Sequence, residues 1–317
     1  MNAHEMDRLE TERRDPRAPE LDLMHTLDIL RYMNEADRSV PDRVGEKLAD
    51  IAAAVDAIVN AIRGGGRLFY VGAGTSGRLG LLDAYECPPT FGTPPELVQA
   101  VMAGGAGMLQ ADESAEDRAE DGAAELQARQ LTARDVVVGI AASGRTPFVI
   151  GAMRYARQVG AATVAVSCVR GSAIGELADI AIEVPVGPEV VTGSTRLKAG
   201  TAQKLVLNML STAAMIRLGK VFGNLMVDMQ PTNSKLMRRA ERIVEMATGA
   251  SPDTAVRTLR QTGGDVKAAI VMLLGSVRDA GRASDLLRLA DGNVREALRL
   301  AASVPDEPKV RPEATRP

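Results

Sequence analysis

The chain has 317 residues, 45% hydrophobic and 25% charged, with 38 Lys and Arg against 41 Asp and Glu and a net charge of -3. Those proportions suit a globular protein, and they leave no basic excess to neutralise a nucleic-acid backbone; with four Tyr, four Phe and no Trp, base-stacking platforms are also scarce. No window approaches ~18 consecutive apolar residues and no basic start leads into an apolar segment, so neither a membrane partner nor a secretory route is expected.

The first forty residues are polar and Pro-interrupted (TERRDPRAPELD), after which Leu23, Leu27, Leu30 and Met33 take helical spacing. Residues 42–63 repeat that spacing through Val44, Leu48, Ile51, Val55, Ile58 and Ile62, and stop at Gly64-Gly65-Gly66. From residue 67 the rhythm changes. RLFYVGAG (67–74), LVQAVMAGG (97–105), DVVVGIAAS (135–143), ATVAVSC (162–168) and IAIEVPVG (180–187) read as strands. Their near-continuous apolar character suits a parallel sheet covered on both faces. Helices are expected near 76–86, 114–130, 147–159 and 173–178, and a long one over about 193–219. The series is α/β, a doubly wound five-stranded parallel sheet of flavodoxin-like order 2-1-3-4-5. In that order the turns after the first and third strands meet at the crevice where ligands bind.

Beyond residue 240 the strand signals vanish. LRQTGGDVKAAI (259–270) and LRLADGNVREAL (287–298) align at a constant offset of 28 and read as two small helical hairpins, each with a Gly-containing turn. They are similar to the ubiquitin-associated three-helix fold and are read as a packing module. Expected divisions are an N-terminal helical segment (1–63), a sheet domain (64–240), a C-terminal helical domain (241–303) and a Pro-rich disordered tail (304–317).

Two turns stand out. Gly72-Ala73-Gly74-Thr75-Ser76-Gly77-Arg78 follows the first strand, and Ala142-Ser143-Gly144-Arg145-Thr146-Pro147 follows the third. Each supplies glycines, hydroxyl donors and the start of a helix whose free N–H groups attract anions. Thr146 is suited to cap that helix and Pro147 to its first turn. Taken singly, either turn reads equally well as an ordinary strand-to-helix connection. Taken together, they favour a phosphorylated small molecule, with Ser143, Gly144 and Thr146 as first ligands and Thr75, Ser76 and Gly77 as second. A dinucleotide is disfavoured, because the acidic residue expected ~20 positions later falls in a Pro/Gly-rich and then apolar stretch. Arg196 and Lys198, near the start of the longest helix, sit badly with the helix dipole unless an anion is close. They are candidates for a carboxylate or phosphate.

Two cysteines (Cys87, Cys168) and two histidines (His4, His25) leave no disulfide scaffold, no Cys/His zinc site and few nucleophilic triads. Catalysis must rest on carboxylates, Lys, Arg, hydroxyls and backbone amides, and a cytoplasmic setting is expected. Glu86, in Ala84-Tyr85-Glu86-Cys87-Pro88-Pro89, falls where the first sheet helix is expected to end before proline. A helix C-terminus and weakly polar neighbours both favour a protonated carboxyl, as a general acid requires; a frayed, solvated Glu is the equal alternative. Asp112, Glu113, Glu116, Asp117, Glu120 and Asp121 form an acidic run that reads as a solvated helix face, and spacing singles out none of them.

RLFYVGAGTSGRLGLLDAYECPPTFG, VVVGIAASGRTPFVIGAM and GPEVVTGSTRLKAGTAQKLVLNMLSTAAMIRLGKVFGNLMVDMQPTN resemble the N-acetylmuramic acid 6-phosphate etherases, of the sugar-isomerase (SIS) fold superfamily. The resemblance runs from about residue 8 to residue 300. It departs at TERRDPRA, where Asp15 and Ala18 replace the family's Asn and Ser, and in an acidic segment one residue short. The resemblance implies cleavage of the D-lactyl ether of N-acetylmuramate 6-phosphate, without cofactor or metal, in a homodimer with sites near the subunit interface. It implies that Glu86 protonates the departing lactate. It implies a second carboxylate at Glu116, with Glu113 as the register alternative, for proton transfer at C2 or activation of water. The chemistry fits the inventory, since elimination next to an aldehyde needs a base, an acid and enolate donors but no nucleophile. A sugar-phosphate sensor related to glucokinase regulatory proteins, or a sugar-phosphate isomerase, would share the turns; the sensor would have no need of Glu86.

Overall fold

The computed structural model describes residues 10–105, 113–229 and 233–303. The tail expected to be disordered, 304–317, lies outside them. The chain divides into two compact units, one built from residues up to Pro88 and Thr93–Ala214, the other from Pro89–Gly92 and Met215 onward.

In the first unit the five apolar runs become β1 (Leu68–Gly72), β2 (Val98–Met102), β3 (Val136–Ile140), β4 (Ala162–Ser167) and β5 (Ile180–Glu183). All pairings are parallel, in the order β2-β1-β3-β4-β5 that the sequence predicts. Leu68 lies opposite Val98 on one side and Val136 on the other, so β1 and β3 are neighbours. Both strands are wholly buried, which explains their uninterrupted apolar sequence.

Helices α1 (Thr26–Asp37), α2 (Ser39–Gly45) and α3 (Leu48–Arg63) precede the sheet. Then come α4 (Gly74–Phe91), α5 (Ala119–Ala128), α6 (Pro147–Val159), α7 (Ala173–Leu177) and α8 (Lys198–Arg217). On one face Phe69, Val71 and Val137 pack with Leu126 of α5 and with Phe148 and Met153 of α6. Helix α3 turns Ile51, Val55 and Ile58 inward at helical spacing. Helix α1 buries no residue, and Leu27 and Leu30 are 57% and 56% exposed. Among the described residues no helix is long and apolar enough to cross a membrane.

Four helix boundaries differ from expectation. The helix expected over 42–63 is two, broken at Glu46-Lys47. The helix expected to stop at Glu86 runs through Pro88 and Pro89 to Phe91. There Gly92 ends it with φ +62°, and a Cβ at that position would lie 2.2 Å from the Asp228 carbonyl oxygen. The stretch 114–130 is a 3-10 turn (Glu113–Asp117) followed by α5. The longest helix begins only at Lys198, so Thr192–Leu197 is a loop.

The second unit holds α9 (Ser234–Thr248), α10 (Pro252–Gln261), α11 (Val266–Leu274), α12 (Ala280–Leu289) and α13 (Val294–Ser303) around Ile243, Val244, Leu259, Ile270, Leu287 and Val294. The offset of 28 holds bond for bond: Gly264 N donates to Leu259 O and Gly292 N to Leu287 O, each at 2.8 Å. Asp265 then accepts from Ala268 N, and Asn293 from Glu296 N. Asp228 bridges Lys220 (2.8 Å) and the buried Lys267 (2.6 Å).

Candidate functional site

Because Gly72 ends β1 opposite Ile140, the last residue of β3, the two Gly-rich turns lie side by side at the carboxyl edge of the sheet. This is the point where strand order reverses. Helix α4 starts at Gly74, and its first ladder bond is Gly77 N to Ala73 O at 3.0 Å. The N–H groups of Gly74, Thr75 and Ser76 therefore have no acceptor within the helix and face the crevice end.

The second turn is closed by Gly144 N donating to Ala141 O at 3.0 Å. Gly144 has φ +67°, and a Cβ there would lie 2.3 Å from Ser172 Cβ. Only glycine fits. Pro147 occupies the first turn of α6 and Thr146 its N-cap, as expected, but the Thr146 hydroxyl makes no capping bond. It remains available to a ligand. Ser143 Oγ accepts from Arg145 N at 3.4 Å. Ser76 departs from expectation: its buried hydroxyl donates to Gln203 Oε1 of α8 at 3.0 Å. The side chain is committed to α8, and the backbone N–H is what Ser76 offers an anion.

Glu116 sits in the 3-10 turn after β2, half-buried. Its Oε1 lies 3.0 Å from where a Cβ on Gly74 would stand, so a carboxylate and the anion-accepting turn occupy one place. Asp112 and the side chain of Glu113 lie outside the described residues. Glu86 is elsewhere. It lies twelve residues along α4 from Gly74, about 18 Å by helix rise, with its side chain exposed beside Leu82 (45% exposed) and Tyr85 (63%). The helix does not end there, and the side chain is exposed, so the helix-end position expected for it is not found. Within one chain, Glu86 and Glu116 do not meet.

Arg196 is exposed in the loop before α8, whereas Lys198 is 7% exposed as the first residue of that helix. The anion that the dipole argument asks for is internal. Glu189, 2% exposed, accepts from Lys198 N at 3.0 Å and Ala199 N at 2.9 Å. Burial raises the Glu189 carboxyl above its ordinary range, against the pull of those two N–H groups. Lys198 Nζ donates to Val186 O at 2.8 Å, and burial lowers its affinity for a proton.

Three residues of this region carry no sequence signal. Glu189 hides in an apolar PEVV stretch and Gln203 inside a helix. Asp83, one turn before Glu86, is buried between α4 and α8. It accepts from Tyr70 Oη at 2.9 Å and Ser211 Oγ at 3.1 Å, and from the Asn208 amide at 3.1 Å once that amide is turned to satisfy its neighbours. Burial pushes the Asp83 carboxyl up to about 6, against the two hydroxyl bonds and the Lys204 charge.

Residues 50–157 match the family described as the glucokinase regulatory protein N-terminal SIS domain, and residues 119–213 match the SIS domain. The chain is 54% identical over 296 residues to the N-acetylmuramic acid 6-phosphate etherase of Geobacillus thermodenitrificans, covering 92% of this chain and 99% of that protein. It is 56% identical over 296 residues to the similarly named protein of Mesorhizobium japonicum, covering 93% and 96%. Among solved structures, a phosphoheptose isomerase from Francisella tularensis overlays 61% of this chain and 100% of its own, with a TM-score of 0.49 at 19% identity.

Proposed function

The chain belongs to the N-acetylmuramic acid 6-phosphate etherase family, and we propose that it performs the reaction this name describes by elimination and rehydration. The substrate's phosphoryl group is held by the N–H groups of Gly74, Thr75 and Ser76 and by Ser143 and Thr146, while Gly77 and Gly144, whose N–H groups go to Ala73 O and Ala141 O, shape the two turns. No metal or cofactor takes part. An ether does not yield to direct attack at neutral pH, because an alkoxide leaves poorly. Opening the sugar ring exposes an aldehyde at C1 and acidifies the proton on C2. Loss of that proton to a base forms the enolate, and its electron pair expels the C3 oxygen, which leaves as D-lactate after protonation. Water then adds across the double bond, its hydroxyl to C3 and its proton to C2, giving N-acetylglucosamine 6-phosphate.

The observation that carries this reading is Glu116 Oε1 beside Gly74, which sets a carboxylate next to the anion-accepting turn. Glu116 transfers the C2 proton or activates the incoming water. Glu86 supplies the acid for the departing lactate, and its distance along α4 from the turn means that it serves the site of a second copy. The working unit is therefore a homodimer. The exposed Leu82 and Tyr85 beside Glu86, and the uncovered leucines of α1, support such an interface. The cytoplasm, where amino sugars released from the cell wall are recycled, is the proposed setting.

The test is to incubate the protein with N-acetylmuramate 6-phosphate in deuterated water and measure D-lactate and the label at C2. Lactate release with deuterium at C2 is expected. Lactate with the original C2 hydrogen retained would replace elimination by direct displacement. Exchange at C2 without lactate would indicate an isomerase, and neither exchange nor lactate a sensor.

A further inference from the structure

Ser76 follows Gly74 and Thr75 in the first turn of α4, and its backbone N–H is among those left open at the start of that helix. The Cα–Cβ bond of a helical residue leans toward the helix start, so an anion held by the Ser76 N–H also comes within reach of the Ser76 hydroxyl. That hydroxyl is engaged elsewhere, 3.0 Å from Gln203 Oε1. Helix α8 turns one face to the first turn of α4: Gly200, one turn before Gln203, stands against Thr75, where a Cβ would lie 3.5 Å from the Thr75 methyl group.

The Gln203 amide is only half served. The residue is 1% exposed, and its Nε2 has no hydrogen-bond partner among the described residues. Two N–H donors are thus buried without an acceptor, a condition folded chains rarely tolerate. Two apolar residues of the same shape would join α4 to α8 without stranding a donor. The oxygen and nitrogen of a carboxamide occupy mirror positions, so a half-turn about the last side-chain bond sets Nε2 against Ser76 Oγ. One Gln203 hydrogen is then satisfied, and the Ser76 hydroxyl becomes acceptor instead of donor. Its own hydrogen is released. Within the protein the exchange gains no bond, because one replaces another and the Ser76 hydrogen is left without an acceptor. An anion at the start of α4 shifts the balance by accepting that hydrogen in a charge-assisted bond.

We propose that Gln203 is a positioning residue for the sugar phosphate: its amide turns as the phosphoryl group arrives, donates to Ser76 Oγ, and so aims the Ser76 hydroxyl at that group. The proposal rests on the reading that the Gly-rich turns hold the phosphoryl group, and adds how the first of them acquires a hydroxyl donor.

Titration calorimetry with N-acetylglucosamine 6-phosphate, the proposed product, tests this on the full-length wild type, Ser76→Ala, Gln203→Glu and the double variant. Ser76→Ala should weaken binding about 10- to 100-fold, as loss of a hydrogen bond to a charged group requires. In turnover of N-acetylmuramate 6-phosphate the loss should fall on KM, with kcat nearly unchanged. The carboxylate of Gln203→Glu can only accept, so it keeps the Ser76 hydrogen and should weaken binding at least as much. Adding Ser76→Ala to it should then cost nothing further. A full Ser76→Ala loss in that background would mean that Gln203→Glu acts by charge repulsion alone, and would overturn the proposal; so would unchanged affinity in Ser76→Ala.

The wild type supplies a readout that does not depend on Gln203→Glu folding. With isotope-labelled glutamine, one side-chain amide hydrogen of Gln203, identified by its loss in Gln203→Met, should shift downfield and exchange more slowly once the sugar phosphate binds. An amide signal that does not respond would show the pair to be a fixed joint between helices, and the proposal would fall. Should the wild type bind N-acetylglucosamine as well as its 6-phosphate, the phosphoryl site itself is lost, and this role of Gln203 with it.

Discussion

Gly144 joins the second Gly-rich turn to the start of α7, and replacing it tests how tightly that turn is built. In Gly144→Ala two costs arise. The backbone at φ +67° puts an L-residue in the left-handed region, at about 1–2 kcal/mol. The new methyl would lie 2.3 Å from Ser172 Cβ, and relieving that overlap costs about 1–3 kcal/mol. The sum, about 2–5 kcal/mol, is a large share of a domain's stability. Ser172→Gly removes the obstructing Cβ and also the cap that Ser172 Oγ gives Gly175 N, a loss of about 1 kcal/mol with glycine's entropy included. In that background Gly144→Ala should cost only its backbone part, so the double-mutant cycle should show a coupling of about 1–3 kcal/mol. Urea denaturation of the four proteins measures it, and the KM for substrate should rise in Gly144→Ala and recover partly in the double variant. An equal Gly144→Ala penalty in both backgrounds would refute the claim that Ser172 sets the shape of this turn.

Asp83 makes a pH prediction. Its folded pKa, about 6, lies above the ordinary range of an aspartate, so folding favours the protonated form. Its contribution is fully present below about 4 and is lost as pH rises toward 6, a change on the order of 3 kcal/mol. Urea titrations should therefore show wild type losing stability relative to Asp83→Asn across that window, and a constant difference would exclude it. Helices α5 and α6 touch backbone to backbone, since a Cβ on Gly151 would fall 1.8 Å from Ala119 O. Gly151→Ala should cost about 3 kcal/mol or more in urea denaturation, because a main chain must move. In the second unit, Asp265→Ala and Asn293→Ala remove equivalent helix caps and should each cost about 1 kcal/mol, measured the same way.

The sheet was legible because its strands leave five apolar runs, two of them (β1 and β3) wholly buried, and the order followed from the parallel crossovers between them. Pattern failed where a distant contact outweighed a local rule. Proline at 88 and 89 signals a helix stop, yet α4 continues because Cys87 and Phe91 are buried one turn apart and Gly92 supplies the C-terminal turn. The two Gly-rich turns could be read from their composition, but the use of the Ser76 hydroxyl could not. Its partner Gln203 is 127 positions away. Lys198 was nominated from its clash with a helix dipole. The structure answers the clash with Glu189, nine residues earlier, and gives the Lys198 ammonium to the Val186 carbonyl, which no motif announces.

If each active site draws its two glutamates from different subunits, as proposed, two inactive variants should complement each other when mixed. Glu86→Ala and Glu116→Ala should each be near background in D-lactate release. Unfolded together and refolded at equal concentrations, they should form half mixed dimers, each with one intact site, and recover about one quarter of wild-type activity. If the mixture stays as inactive as its parents while size-exclusion chromatography shows mixed dimers, the two glutamates do not act across an interface and the account is wrong.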